Sequence, residues 1–531
     1  MEEIAGEPNP SFGEKEIEKR KNKLKKFLFG WIKDNYDKVF LAVLIISFLI
    51  QLWIFFKTMN QPLWWDEADY LAAAKRWGLG LHITDIWYYR RGFLFPLIGA
   101  LFFRLNLGEI GVRFLEVLFS TGFIAVSYFL ISKMFNKKLA LYSSIALSFS
   151  WVLLFFTGRI LTDIPAAFFA LLALLFFWKG YVLKEGNKFL YLFALFFAFA
   201  ILTRMQSFMF APAFLIYLLI KERTKIFKNK QLWITLGIFL LVLVPQFVLY
   251  SIHYGNPFTD LASHYLGIGS ESNPVVEGNQ RVISMTIFNY FIDLPYILST
   301  PFFLLLLIGV IYFFYDLILG IDKLFKEASL QKKFFVLLWI LCLFLIMGFI
   351  GSNSYVEQRY VTAALPFLFL IAISPFAILE GVLSKNFHFS KKLIFVAITM
   401  VLLLFSYYNI SLAFSMTDLK LDSYSDIRDA GSWIRENSNT SDIIITQSKP
   451  QIVYYAERTV IPCDITTCEN KSVFEKLVNE NKPRYFLLSA YESYPEWVYS
   501  YPSEHPELLK PVKSYLQNQQ PTAIIYEFNY S

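Results

Sequence analysis

Residues 62–70, PLWWDEADY, set three carboxylates, Asp66, Glu67 and Asp69, within four positions directly after an apolar run. Charges beside a membrane span are costly to keep, so they ask for a task. Acids in this setting suit two kinds of work: positioning a hydroxyl as a base, or holding a divalent metal. A further acid, Asp163, lies in GRILTDIPAAFF, one helical turn after Arg159. Arg204 (LTRMQSF) and Arg359 (VEQRYVTAALP), with Arg90, Arg91 and Arg104, add a set of guanidinium groups. Arginine grips phosphate oxygens as a planar fork, where lysine is only a point charge. Each residue also has a plainer reading. Asp66 and Glu67 cap and support a helix, DEADYLAAAKRW. Each arginine snorkels to the membrane interface. Glu116, three positions after Arg113, pairs with it along one helix face.

The elements that must position these groups are membrane spans. The chain has 531 residues, 56% hydrophobic and only 17% charged, with 57 Phe and 31 Tyr, and the apolar residues come in long blocks. Mean hydropathy is +0.47. Soluble chains carry charge at about a quarter of positions, so this is a polytopic α-helical membrane protein. The net charge of +7 is spread over short loops and is no nucleic-acid footprint. Residues 1–38 form a polar tail of mixed charge with no cleavable signal peptide. With ~20 residues per crossing, about eleven spans are expected: 39–57, 110–132, 138–156, 161–181, 188–204, 206–220, 232–251, 295–316, 334–351, 361–383 and 393–414. Lysine-rich short loops stay in the cytoplasm. KRKNKLKK (19–26), KKL (137–139), KERTKIFKNK (221–230), DKLFKE (322–327) and SKNFHFSKK (384–392) therefore lie inside, with the N-terminus. The first loop (58–108), a second (about 252–293) and residues 415–531 then lie outside, and the acids and arginines gather on that outer surface. Together they describe a site for an anionic, lipid-borne substrate.

Residues 415–531 change composition. SDIRDAGSWIREN (425–437) reads as an amphipathic helix, and DIIIT (442–446), RTVI (458–461) and RYFLLS (484–489) read as short buried strands. With SVFEKLVNEN (472–481) as a helix between strands, a small extracytoplasmic α/β domain with a partly parallel sheet is expected. It has no glycine-rich nucleotide turn. Cys463 and Cys468, five apart on an oxidising side, suit a short disulfide loop, and Cys342 reads as a small apolar residue in a span. Asn439, Asn470 and Asn529 begin Asn-x-Ser/Thr triplets in the same domain.

The order of these motifs resembles the GT-C glycosyltransferases that use polyprenyl-phosphate sugars, above all protein O-mannosyltransferases and the aminoarabinose transferases of lipid A. The similarity covers roughly residues 39–380. It is carried by DE followed by Tyr at 66–70, RRGFLFPLIGALFFRLNLGEIGVRFLEVL (90–118), the segment 136–177, LTR (202–204), YGNPF (254–258) and RY…P (359–366). It implies a GT-C-like membrane domain over 39–414, Asp66 as catalytic base and Asp163 as the acid at the outer end of the fourth span, with Glu67 a further catalytic candidate. It also implies donor-phosphate contacts from Arg204 and Arg359, with Arg90, Arg91, Arg159 and Tyr360 as further substrate-binding candidates. YYRRGFLFP lacks the acid that precedes the first-loop prolines in the aminoarabinose transferases, so no metal ligand is assigned; a divalent metal is possible, with His253 and His264 nearby in sequence. Trp64-Trp65-Asp66 has the form of a motif in the soluble domain of oligosaccharyltransferases, but here it stands in the first loop, and that comparison is set aside.

The implied reaction moves a monosaccharide, mannose by family frequency, from a polyprenyl- or dolichyl-phosphate to a hydroxyl on a glycan, protein or lipid acceptor, with inversion at the anomeric carbon. The competing reading is a transporter or flippase of lipid-linked sugars. It calls for charges at the membrane midplane rather than at outer span ends. A noncatalytic surface receptor leaves Asp66 and Asp163 without a role.

Overall fold

The computed structural model describes residues 30–81, 87, 91–256, 288–350, 357–464, 467–517 and 519–530. Arg90, His264 and most of the second loop lie outside the described residues. Among those described, nine helices are long and apolar enough to cross a membrane: Asn35–Thr58, Gly108–Met134, Asp163–Val182, Met205–Lys228, Lys230–His253, Thr300–Leu319, Ala328–Phe349, Gln358–Asn386 and Lys391–Lys420. Lys137–Ser148 and Trp151–Thr157 make a tenth span bent by 55°, where Ser150 leaves helical geometry at ψ 131. The eleventh expected segment is a shorter apolar helix, Asn187–Thr203. Mixed bending and 3-10 turns at 205–210 and 358–364 break the ladders where Arg204 and Arg359 stand. Broken backbone at membrane depth is tolerated only inside protein or along a cavity.

The first loop is folded, not open. It holds two helices, Trp65–Leu79 and Leu94–Arg104, that pack against each other. The last span runs to Lys420, past the expected boundary at 414. In its polar last turn Asp418 pairs with Lys57 of the first span.

The C-terminal domain begins after a turn at 421–424. It carries a five-stranded sheet in the order β2-β1-β3-β5-β4, from β1 (Ile443–Ile445), β2 (Thr459–Ile461), β3 (Tyr485–Ser489), β4 (Leu509–Gln517) and β5 (Gln520–Phe528). The first three are parallel, and β5 and β4 are antiparallel additions. Cys463 and Cys468 are bridged.

One helix of this domain, Lys449–Ala456, lies on the Trp65–Leu79 helix. Tyr455 Oη accepts the Leu63 backbone N–H at 3.0 Å. Tyr454 Oη donates to Glu109 Oε2 at 2.9 Å, and Glu109 pairs with Arg113 at 2.7 Å. Arg113 in turn donates to the Gln61 carbonyl at 2.6 Å. Lys75 and Glu457 close the seam at 2.5 Å. The soluble domain is thus bonded to both ends of the segment that leads into Asp66.

Candidate active site

The Trp65–Leu79 helix has Trp64 rather than Asp66 as its N-cap. Glu67 Oε2 reaches back to the Trp64 backbone N–H at 2.6 Å, as a carboxylate at the third helical position does. The same oxygen accepts from Arg159 Nη2 at 2.8 Å, and Oε1 accepts the Ile160 N–H at 2.8 Å. Glu67 is 0% exposed and Arg159 1%. The Arg159 guanidinium also lies 3.7 Å from the Trp64 ring centre. Burial pulls Arg159 down to about 10, with the Glu67 carboxylate pulling the other way.

Glu67 and Arg159 are thus both buried and engaged with each other. They form a buried strut between the first loop and residues 158–162, because the chain turns Arg159 away from Asp163 and toward an acid 92 positions earlier. Arg113 likewise pairs with Glu109, one turn back, and not with Glu116.

Asp66 faces the other way and is the open member of the pair, its side chain 28% exposed. Arg91 Nη2 meets Oδ1 at 3.0 Å and Arg359 Nη2 meets Oδ2 at 3.0 Å. Arg91 also reaches Asp69 at 3.3 Å. Its loop can press this close because Gly92 has no side chain: a Cβ there would lie 2.1 Å from the Leu202 carbonyl oxygen. Asp163, 3% exposed at its side chain, takes Arg204 at 3.3 Å and Arg359 at 3.7 Å. Arg204 donates to Thr162 Oγ1 at 3.2 Å, and Tyr70 Oη lies 3.2 Å from the same oxygen. Both Arg204 and Arg359 lie over the Tyr360 ring, at 4.6 and 5.2 Å.

Asp69, Arg91, Asp66, Arg359, Asp163 and Arg204 therefore alternate in sign along one continuous network. Burial alone would push the Asp66 carboxyl up. The charges of Arg91 and Arg359, and the Arg359 hydrogen bond, outweigh it and hold Asp66 at about 2.

Two cavities meet at Arg359. One, about 420 Å³, is lined by Trp65, Asp66, Glu357, Lys420 and Tyr424 among others. The second is a narrow crevice of about 30 Å³, lined by Asp163, Arg204 and Tyr360 and by apolar Ala166, Met209, Leu343 and Met347. Glu357, 3.3 Å from Arg359 Nε, and the wall residues Lys420 and Tyr424 were not singled out by sequence; two positions before Arg359, an acid in VEQRY was the available signal. Arg104 is exposed at the end of its helix, away from the network.

Among the described residues no three His, Cys, Asp or Glu side chains are grouped to hold a metal ion. Asp66 and Asp163 face guanidinium groups rather than a shared cation cage, and His253 turns its Nδ1 to the Leu249 carbonyl oxygen at 2.8 Å.

The family model of dolichyl-phosphate-mannose-protein mannosyltransferases matches residues 90–249. No curated protein matches the chain by sequence. Among solved structures, ArnT from Cupriavidus metallidurans bound to undecaprenyl phosphate superposes with a TM-score of 0.62 at 14% identity, over 94% of this chain and 98% of that one. The Archaeoglobus fulgidus oligosaccharyltransferase AglB, in complex with an inhibitory peptide and a dolichol-phosphate, gives 0.60 at 14% identity, over 86% and 70%. At that identity the likeness is one of architecture, and it extends through both the spans and the C-terminal domain: the chain is an integral membrane protein with the GT-C glycosyltransferase fold.

Proposed function

We propose that this protein is a polyprenyl-phosphate-dependent glycosyltransferase that moves a monosaccharide, mannose on the family model's description, onto an acceptor hydroxyl with inversion. The observation that carries the reading is Arg359. It joins the two acids and forms the shared wall of a polar cavity and of one that turns apolar toward the membrane.

In this reading the donor phosphate sits against Arg204 and Arg359, and its isoprenoid tail follows the apolar wall. The solved relatives bound to undecaprenyl phosphate and dolichol-phosphate support a carrier of this class. The acceptor enters the wider cavity beside Asp66. Asp66 takes the hydroxyl proton as the acceptor oxygen attacks the anomeric carbon. The bond from that carbon to the phosphate oxygen breaks, and its electron pair leaves on the polyprenyl phosphate, whose growing charge the arginines stabilise. Asp163 holds Arg204 and Arg359 in place. Glu67 and Arg159 fix the helix that presents Asp66. Arg91 sets the other oxygen of Asp66, and Arg90, its neighbour, is assigned no contact. The lysine-rich loops put the N-terminus in the cytoplasm and this network, with the C-terminal domain, outside.

The test is transfer of labelled mannose from polyprenyl-phosphate mannose by purified protein in proteoliposomes, with the product anomer read by NMR. A product of retained configuration removes Asp66 as the base of a single displacement. Absence of transfer from every polyprenyl-phosphate hexose removes the activity.

A further inference from the structure

The wider cavity has aromatic walls as well as charges. Trp65 is half-buried at its rim, and no ring packs against it among the described residues. Tyr424 faces it from the turn between the last span and the C-terminal domain. Its backbone is left-handed, φ 68 and ψ 19, a conformation that a bulky side chain adopts only when its surroundings impose it. Such strain gathers at ligand-contact positions. Here both domains impose it. Gln61 Nε2 donates to the Lys420 carbonyl at 2.7 Å just before the turn. Tyr491 packs on the Tyr424 ring at 4.9 Å, and Tyr491 Oη donates to Asp426 Oδ2 at 3.2 Å. The same lining carries the carboxylates of Asp66 and Glu357 and the Lys420 ammonium, which has no carboxylate partner among the described residues.

An extended peptide is recognised through a strand edge or a row of open main-chain groups. The edge strands β2 and β4 contribute nothing to this cavity. A sugar ring has the matching chemistry: an apolar C–H face for an aromatic ring, and hydroxyls that donate to carboxylates and accept from an ammonium. We propose that this cavity binds a saccharide acceptor, with one ring between Trp65 and Tyr424, its hydroxyls on Glu357 and Lys420, and the reacting hydroxyl on Asp66. The proposal rests on the transferase reading above and narrows its acceptor to a glycan.

Two measurements separate the proposal from that reading. Full-length protein in nanodiscs is titrated with an alkyl-linked mannose trisaccharide and, separately, with an alkyl-linked Ser/Thr peptide, without donor, and tryptophan fluorescence is read. The saccharide quenches and the peptide does not. Tyr424→Ala weakens saccharide binding about tenfold or more, and Tyr424→Phe, which keeps the ring, restores it. The same probes are then offered with polyprenyl-phosphate mannose, following both release of polyprenyl phosphate and the labelled product. Label on the saccharide, with an acceptor KM raised about tenfold in Tyr424→Ala, supports the proposal. Donor cleavage with label on the peptide overturns the acceptor class while the transferase reading stands. Saccharide quenching that is equal in wild type and Tyr424→Ala overturns the site. No donor cleavage, with saccharide binding intact and Tyr424-dependent, overturns the transferase reading and leaves a saccharide site.

Discussion

Arg359 holds two carboxylates at once: Nη2 lies 3.0 Å from Asp66 Oδ2 and Nη1 lies 3.7 Å from Asp163 Oδ2. A phosphate arriving at this guanidinium must compete with both. The group that would activate the donor is therefore the one that restrains the base, and four consequences can be measured.

Asp66→Asn keeps the shape of the side chain and removes its charge. Loss of a positioned base typically costs 10²–10⁴-fold, so transfer falls by about that factor while polyprenyl phosphate still binds. Wild-type turnover in this variant takes Asp66 out of the chemistry.

Arg204→Ala and Arg359→Ala each remove a charge-assisted contact of roughly 1.5–3 kcal/mol, about ten- to hundredfold in donor use. Lysine restores only part, because it offers no fork. Donor dependence at fixed acceptor measures this. If neither alanine variant moves it, the phosphate lies elsewhere along the network, with Arg91 the next residue to replace.

The pH profile should depend on whether donor is bound. In the free protein Asp66 titrates at about 2, below the ordinary carboxyl near 3.9. Its ion pairs therefore stabilise the fold above about pH 4, and that stability is lost as pH falls through 2. The kcat/KM profile, which reports the free enzyme, shows no acid limb from Asp66 above about pH 3. Once phosphate occupies Arg359 and adds its own negative charge, the carboxyl rises, and the kcat profile gains an acid limb at higher pH. Superimposable limbs in the two profiles show that donor binding leaves the Asp66–Arg359 pair intact.

Glu67→Gln leaves the Arg159 charge buried without its counter-charge. Breaking such a pair costs about 3–5 kcal/mol, so thermal unfolding in detergent moves to lower temperature, and transfer falls only as folded protein is lost. A variant as stable as wild type but inactive returns Glu67 to a chemical role.

Hydropathy marked each of the nine long apolar helices among the described residues, since crossing a membrane is a property of one segment, but it also counted 188–204, which is a shorter helix. Strands β1, β2 and β3 were legible for the same reason: each is a short apolar run between polar turns. The β4–β5 hairpin was not, because LKPVKSYLQ keeps one proline and two lysines on an edge strand, where exposed polar residues belong. The first-loop acids and the arginines were marked by residue type, but their pairing was not. Arg359 meets Asp66 across 293 positions, and Arg159 leaves its sequence neighbour Asp163 for Glu67. Local spacing cannot see either choice, because each is made by how the first loop docks on the spans.

The tyrosines of the Lys449–Ala456 helix bear on how this protein can be rebuilt. Tyr455 serves the Leu63 N–H and Tyr454 serves Glu109, which holds Arg113 on the Gln61 carbonyl. The C-terminal domain is thus no interchangeable module. A domain grafted from another chain, without hydroxyls at these two points, would leave residues 61–64 untethered and let the Asp66 helix drift from its arginines. A chimera made only for a new acceptor would lose its rate at the donor end, and matching the seam matters as much as matching the cavity.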